Sequence, residues 1–377
     1  NASFDFRLSE RATFYVKPLY THTDVTGEKP NVKYYVSSGH NFNSATGTKT
    51  IAEATYNTGR SIPTRLTDHR YQNSAVESDN DLFSISAGGR QQLDTMVFSY
   101  DLSFDDNTKN GNRALGYNVI NPGYSFSYDH SNHTMPIYTV LNGKSLYDTS
   151  TITSGALTIN PSDKTEKVTG GKVDLEKKFA GAERSGSLKT GFKYRSSRQD
   201  NDARSAVYTT GSIASGFPYN SLLKRTGYVM NGTPITLVPD LEKTEALFAS
   251  SPGLFTQTAA NLRDTFRNES INDYNAQEDT TAAYVMGTLV LGRTTIIGGL
   301  RGEKNEFSST TWQFKPATPT AAMSFSRVDR AKDYTVWLPG LHFRHALRKN
   351  LILRESYNRS YGRPELGDLL KGRVITY

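Results

Sequence analysis

The chain contains no cysteine, and only two of its 377 residues are tryptophan. The lack of cysteine excludes disulfide staples and thiolate metal sites. Apolar residues make up only 36% of the chain, and no run reaches the roughly 18 apolar residues of a transmembrane helix. A helical membrane protein is therefore excluded. A transmembrane β-barrel is not, because half of each barrel strand faces water.

Charge and motifs exclude further classes. The net charge is +7, but the positive residues are scattered, so no nucleic-acid surface is predicted. Nucleophile-elbow and phosphate-loop motifs are missing. Only His130 and His133, close to Asp129, resemble a metal pair, and their spacing is a weak signal. We therefore predict no enzyme activity, no metal and no cofactor.

Aromatic residues are abundant, with 22 tyrosines and 18 phenylalanines, and they recur at period two. The cleanest stretch is 95–106, in which every second residue is apolar and most of the intervening residues are polar. This alternation predicts a β-strand. Its apolar face matches a bilayer-spanning barrel strand of about 9–11 residues. The apolar positions of this stretch are Met96, Phe98, Tyr100, Leu102 and Phe104.

The same reasoning predicts five hairpins with short turns, separated by four long polar excursions. The predicted hairpins are 3–8 with 12–25, 83–90 with 95–106, 172–179 with 187–197, 274–291 with 294–307, and two runs within 332–369 that flank a turn at 346–350. The predicted excursions are 26–82, 107–171, 198–273 and 308–331. Strand parity requires 107–171 to add either no membrane strand or two, and we predict none, with a rim hairpin near Tyr124. Helical spacing within 237–266 predicts short helices or a folded lid.

Alternation of short turns with long excursions places all the turns at one end of an up-and-down sheet. Outer-membrane barrels have this arrangement, with short periplasmic turns and long extracellular loops. The predicted fold is therefore all-β, an antiparallel up-and-down transmembrane β-barrel of about ten strands in the bacterial outer membrane. Two alternatives stay open, a passive porin and a soluble β-rich adhesin or binding module.

Three segments resemble TonB-dependent outer-membrane receptors. They are "AAYVMGTLVLGRTTIIGGLRGE" at 282–303, the hairpin "VDLEKKFAG…GSLKTGFKYRSSR", and the closing stretch "WLPGLHFRHALRKNLILRESYNRSYGRPELGDL". The second is similar to a hairpin of a large subgroup described from Xanthomonas and Caulobacter. The closing stretch matches the family pattern at Leu338, Pro339, Leu341, Leu347, Asn350, Leu351, Leu353, Arg354, Tyr357, Arg363, Pro364, Asp368 and Leu369.

This resemblance implies a 22-stranded barrel with a plug domain in its lumen and energy from TonB. The chain shows neither plug nor TonB box, so the resemblance implies that 1–377 is part of a longer barrel. It also implies import of a scarce ligand, with an oligosaccharide favoured for the subgroup and a siderophore next. The implied partners are that ligand, the TonB complex through the missing plug, and outer-membrane lipid and lipopolysaccharide.

Candidate binding residues follow from this interpretation. In the longest excursion, the aromatic residues Tyr208, Phe217, Tyr219 and Tyr228 could stack on a ligand, or they could pack the loop against itself. Trp312 is either a ligand platform or part of an interfacial aromatic belt. Five charged residues are predicted to face the lumen. They could contact the ligand, or they could form a solvated row of charges that contacts the plug. They are Arg195, Arg301, Glu303, Arg344 and Arg354.

One residue departs from the pattern. Parity places Glu355 with Leu353 and Tyr357 on the lipid-facing side of its strand, where a carboxylate is costly. Either a β-bulge shifts the register, or Glu355 lies at the membrane rim.

Overall fold

The computed structural model describes residues 2–35, 42–43, 48–49, 62–63, 67–124, 126–129, 137–140, 142–181, 184–230, 233–234, 236–315 and 324–362. Ten antiparallel strands form one continuous wall in chain order. This confirms the predicted up-and-down arrangement and strand number. The strands are β1 (Phe4–Ser9), β2 (Ala12–Glu28), β3 (Thr67–Leu93), β4 (Met96–Tyr124), β5 (Ser162–Ala180), β6 (Arg184–Ala203), β7 (Tyr274–Leu291), β8 (Thr294–Lys315), β9 (Ser324–Arg348) and β10 (Leu351–Asn358).

Short turns join the strands in pairs at one end of the wall. Gly292 has a φ of +53° in the turn between β7 and β8, and Asp94 has a φ of +46° in the turn between β3 and β4. Both values lie in the left-handed region, which Gly adopts freely and Asp tolerates. The predicted two-residue turn at Gly292-Arg293 is confirmed.

The strands extend far into the predicted excursions, so those boundaries were wrong. β3 begins at Thr67 rather than near Phe83, and β4 continues to Tyr124 rather than ending at Asp106. Backbone hydrogen bonds form in a polar strand as readily as in an amphipathic one. Beyond the bilayer both faces meet water or protein, so the period-two signal that defined the predicted ends disappears.

Region 107–171 adds no wall strand among the described residues, as predicted. It lengthens β4 and β5 and contributes the short strand Ser154–Ile159, which pairs with the upper part of β4. The strands Phe126–Asp129 and Ile137–Val140 pair with each other outside the wall, which matches the predicted extra hairpin.

The last hairpin has a tighter turn than predicted. β9 ends at Arg348 and β10 begins at Leu351, and a bulge separates Ala346 from Arg348. This bulge lies next to the turn and does not move Glu355, which pairs directly with Phe343. Glu355 therefore shares the face of Phe343, so the bulge explanation was wrong.

Register divides the wall into two chemically distinct faces. One face is apolar across all ten strands, and its large side chains are exposed, with Leu102 at 64% and Leu341 at 51%. The other face is polar and charged. One apolar-face residue from each strand is Phe6, Val16, Phe83, Leu102, Val173, Phe192, Val285, Leu300, Leu341 and Tyr357.

A continuous band of exposed apolar side chains suits lipid contact, because the outward face of an outer-membrane barrel is apolar. At the border away from the short turns, aromatic hydroxyls on the apolar face meet carboxylates. Tyr20 donates to Asp81 at 2.7 Å and Tyr194 donates to Asp279 at 3.3 Å. Tyrosine at the membrane interface has this amphipathic arrangement.

A folded cap covers the wall beyond this border. Within the described residues it contains the α-helices α1 (Tyr219–Leu222), α2 (Leu241–Ser250) and α3 (Ala259–Asn272). α2 and α3 bear out the short helices predicted from 237–266. Thr258 and Asn261 form a capping box that fixes the start of α3. The main hydrophobic core lies between cap and wall, and consists of Tyr71, Ala75, Leu115, Tyr117, Val119, Ile152, Leu157, Phe217, Tyr219, Leu222, Leu237, Leu241 and Phe255.

The cap lies on the side of the wall that continues the apolar face. Tyr71 and Ala75 have the same parity as Phe83 along β3, whose register with β2 is unbroken from Ala75 to Gln91. Tyr117 and Leu157 pair across the next two strands on the same side. The cap core is therefore on the outward face and not on the polar, lumenal face.

No helix among the described residues is long and apolar enough to span a membrane.

Candidate functional site

All five charged residues predicted to face the lumen lie on the polar face by register. Arg195 is opposite Gly170, and Arg344 is opposite both Thr295 and Arg354. Arg301 donates to the buried Glu303 at 2.9 Å, and Tyr361 also donates to this carboxylate. The structure thus brings Arg301 and Glu303 together and keeps Arg195 apart from them.

A tyrosine latch joins three strands at the centre of this face. The Tyr284 hydroxyl on β7 reaches across β6 and donates to Asp174 on β5 at 2.7 Å. Lys172 lies 2.8 Å from the same carboxylate and Lys189 lies 3.5 Å from it. Gly191 on β6 makes room, because a Cβ there would lie 2.4 Å from the Tyr284 ring and 2.3 Å from Asp174.

The same arrangement recurs between β2 and β4. The Tyr15 hydroxyl donates to Asp101 across β3. A Cβ at Gly88 would lie 2.5 Å from the Tyr15 hydroxyl. Sequence reasoning missed both latches. The tyrosine and carboxylate partners lie two strands apart, so they leave no local signal in the sequence.

We expect Gly191→Ala to destabilise the wall by about 1–3 kcal/mol, the usual cost of forcing a group into a packed site. The added methyl would displace Tyr284 from Asp174 and leave the nearly buried carboxylate without that donor. Gly287→Ala on β7 is the matched control, since no atom lies within 4 Å of its Cβ position. Heat-modified mobility on gels measures both variants. Equal unfolding temperatures for the two would contradict the latch.

The structure removes two aromatic residues from the candidate ligand contacts. Phe217 and Tyr219 are buried in the cap core, and the Tyr219 hydroxyl is bound by Thr210 and the Gly211 carbonyl. Tyr208 packs against this core, with its ring 4.9 Å from that of Phe248. Their burial between cap and wall follows the alternative in which the loop packs against protein.

The other candidates have different surroundings. Tyr228 is 63% exposed and is the aromatic residue of this group that is free to meet a ligand. Trp312 is half-buried and donates its indole N–H to Asp273 at the end of α3. By register it lies on the apolar side of β8, eight residues beyond Lys304. His130 and His133 lie outside the described residues, and no group of three metal-ligating side chains occurs within them.

The cap is fixed to the wall by polar contacts as well. Arg113 on β4 donates to Glu77 on β3 at 2.9 Å and to Glu245 on α2 at 2.9 Å. These carboxylates raise the pKa of Arg113, Glu245 contributing most. Asn73 donates to the Pro239 carbonyl at 2.9 Å, just before α2 begins. The cap is therefore held as one unit with the upper ends of β3 and β4.

A buried histidine predicts a pH dependence in this region. His69 is fully buried beside Tyr71 and Tyr124. Burial, assisted by the Lys144 ammonium, lowers the pKa of His69 to about 3. Below pH 6.5 the unfolded chain gains a proton that the folded chain does not, so the stability contribution is present above pH 6.5 and is lost toward pH 3.

We expect hydrogen-exchange protection near His69 to fall by up to about 1.4 kcal/mol per pH unit across this window. Exchange measured at several pH values, corrected for intrinsic rates, tests this. His69→Gln removes the titrating group and should flatten the profile. An unchanged profile in that variant would refute the assignment to His69.

Comparisons with known proteins agree with this architecture. Residues 252–373, which include β7 to β10, match the outer membrane protein beta-barrel family. No curated protein matches the chain.

Several solved outer-membrane receptors are similar over most of the chain. The ferric-catecholate import receptor Fiu of E. coli K12 shares 12% identity at a TM-score of 0.35, with 94% of this chain and 47% of that chain covered. The Serratia marcescens hemophore receptor HasR, solved with its hemophore HasA and heme, shares 9% identity at a TM-score of 0.33, with 98% and 46% covered. The ferric preacinetobactin receptor BauA of Acinetobacter baumannii shares 8% identity at a TM-score of 0.29, with 92% of this chain and 46% of that chain covered. The chain spans about half the length of these receptors.

The apolar band, the polar opposite face and the family match over the closing strands define the class of protein. The chain has the antiparallel β-barrel fold of a bacterial outer-membrane protein, as predicted.

Proposed function

We propose that this segment belongs to an active outer-membrane transporter that binds and imports a scarce ligand with TonB-coupled energy. The observation that carries the proposal is the closing hairpin, where the receptor-like sequence pattern falls on β9 and β10. Its aliphatic and aromatic members Leu341, Leu353 and Tyr357 lie on the apolar face, and Arg354 lies on the polar face. The pattern thus supplies both a lipid-facing and a lumenal surface.

In this proposal, residues 1–377 are about ten strands of a 22-stranded barrel, and a plug outside the chain couples it to TonB. The connections at 26–82, 107–171, 198–273 and 308–331 are the extracellular regions, although their inner parts are strand. Oligosaccharide and siderophore are the two ligand classes implied by the resemblance. Tyr228, exposed in the longest connection, is the aromatic contact that we propose for either class.

Transport is tested with the full-length protein in cells that carry or lack TonB. Uptake of radiolabelled oligosaccharides and ferric siderophores should require both TonB and the proton gradient. Uptake that persists without TonB and with a proton ionophore would favour a passive porin and refute active transport. Recovery of the protein as a detergent-free monomer would support the soluble alternative instead.

A further inference from the structure

Two arginines face each other on the lumenal side near the short-turn end of the wall. Arg344 on β9 and Arg354 on β10 are directly opposite in the antiparallel register. Such partners have Cβ atoms about 4.5–5.5 Å apart, and like charges in this position destabilise a sheet. The cost of this pair is offset if an anion binds between the two guanidinium groups.

The pair lines a concavity of about 530 Å³. His342, Thr295 and Ser356 add polar groups on the same face, and Met286 and Ile297 add apolar surface. Phe343 and Glu355 also line the concavity, but by register they belong to the opposite, apolar face. Two other cations on this face do have acidic partners, since Arg301 pairs with Glu303 and Lys172 pairs with Asp174. Within the described ranges neither Arg344 nor Arg354 forms an ion pair.

We propose that this concavity is an oxyanion site that takes a carboxylate or a phosphate. Guanidinium groups bind these planar or tetrahedral anions through paired N–H donors. The Thr295 and Ser356 hydroxyls supply further donors.

The oxyanion has two possible sources. One is an acidic side chain of the same protein, either from a segment that enters the lumen or from a strand that pairs with β10. The other is a free anion from solution.

The test uses the full-length protein in detergent, with inorganic phosphate as the probe. Arg344→Gln and Arg354→Gln remove one guanidinium each. Arg195→Gln is the matched control, because Arg195 faces the same side but has Gly170 and Thr280 opposite it. The melting temperature of each form is measured as phosphate replaces chloride at constant ionic strength.

A free oxyanion predicts that phosphate raises the parent melting temperature by on the order of 2 °C or more, and that both site variants lose this rise. An internal acidic partner predicts no phosphate effect, with a lower melting temperature for both site variants and no change for Arg195→Gln. The proposal is overturned if the site variants melt at or above the parent in both buffers, or if the phosphate-dependent rise survives in them. Because the readout is stability, failure of import would leave the result unaffected.

Discussion

Leu102→Arg is expected to destabilise the folded protein in the membrane by about 2–4 kcal/mol, the cost of a lipid-facing arginine near the bilayer midplane. Leu102 lies in the middle of the apolar part of β4 and is 64% exposed. In water such exposure would be costly for leucine, whereas in lipid it is favourable. The variant replaces this favourable contact with a guanidinium group, whose side chain must extend toward the membrane–water interface to stay hydrated.

Ser103→Arg is the matched control, since Ser103 is the next residue and lies opposite Ser86 and Gly170 on the polar face. This substitution should change stability much less, because the lumenal side is wet. Reversible urea unfolding in lipid vesicles measures both. A larger loss for Ser103→Arg than for Leu102→Arg would reverse the assignment of the two faces.

Leu241→Ala is expected to loosen the cap by about 2–5 kcal/mol, the range for truncating a fully buried leucine. Leu241 begins α2 and is completely buried against the upper parts of β3 and β4. The cavity would weaken the contact that joins α2 to the wall. The membrane part of the barrel should keep its stability, because this core lies beyond the apolar band.

Leu262→Ala in α3 is the control for this prediction, since Leu262 is 43% exposed. Hydrogen exchange, resolved by peptide, should show faster exchange across α2 and the upper strands for Leu241→Ala only. Equal protection in the two variants would mean that the cap does not depend on this core.

The membrane part of the fold is the part that sequence could predict. Where one face meets lipid and the other water, period-two alternation gives both the strand and its orientation. For this reason the alternation placed Leu102 on the apolar face and Arg344 on the polar face, and the register of the strands agrees. The polar turn at Gly292-Arg293 could also be predicted, because a turn residue in the left-handed backbone conformation is usually glycine.

The extensions and the cap could not be predicted in the same way. The upper part of β3 pairs through backbone hydrogen bonds, and its sequence has no simple alternation. Tyr219 is buried by contacts with Thr210 and with wall residues distant in sequence. From the sequence, the aromatic ring of Tyr219 was equally suited to stacking on a ligand and to packing in a core. Only its tertiary contacts distinguish these two roles.

The lumenal contacts were predictable by face but not by partner. Parity placed Arg301 and Glu303 together, since they are two residues apart on one strand. The contact between Tyr284 and Asp174 joins residues 110 positions apart in the chain. It depends on strand order and on the small size of Gly191, neither of which is a local property.

The central claim is that β4 crosses the membrane with the even-numbered residues between Met96 and Phe104 in lipid. The chain has no cysteine, which suits single-cysteine spin labelling along 97–104 in reconstituted vesicles. Oxygen, which concentrates in lipid, should reach labels at positions 98, 100, 102 and 104 best, and a water-soluble nickel complex should favour 97, 99, 101 and 103. Accessibility without this alternation, or with the opposite phase, would contradict the account.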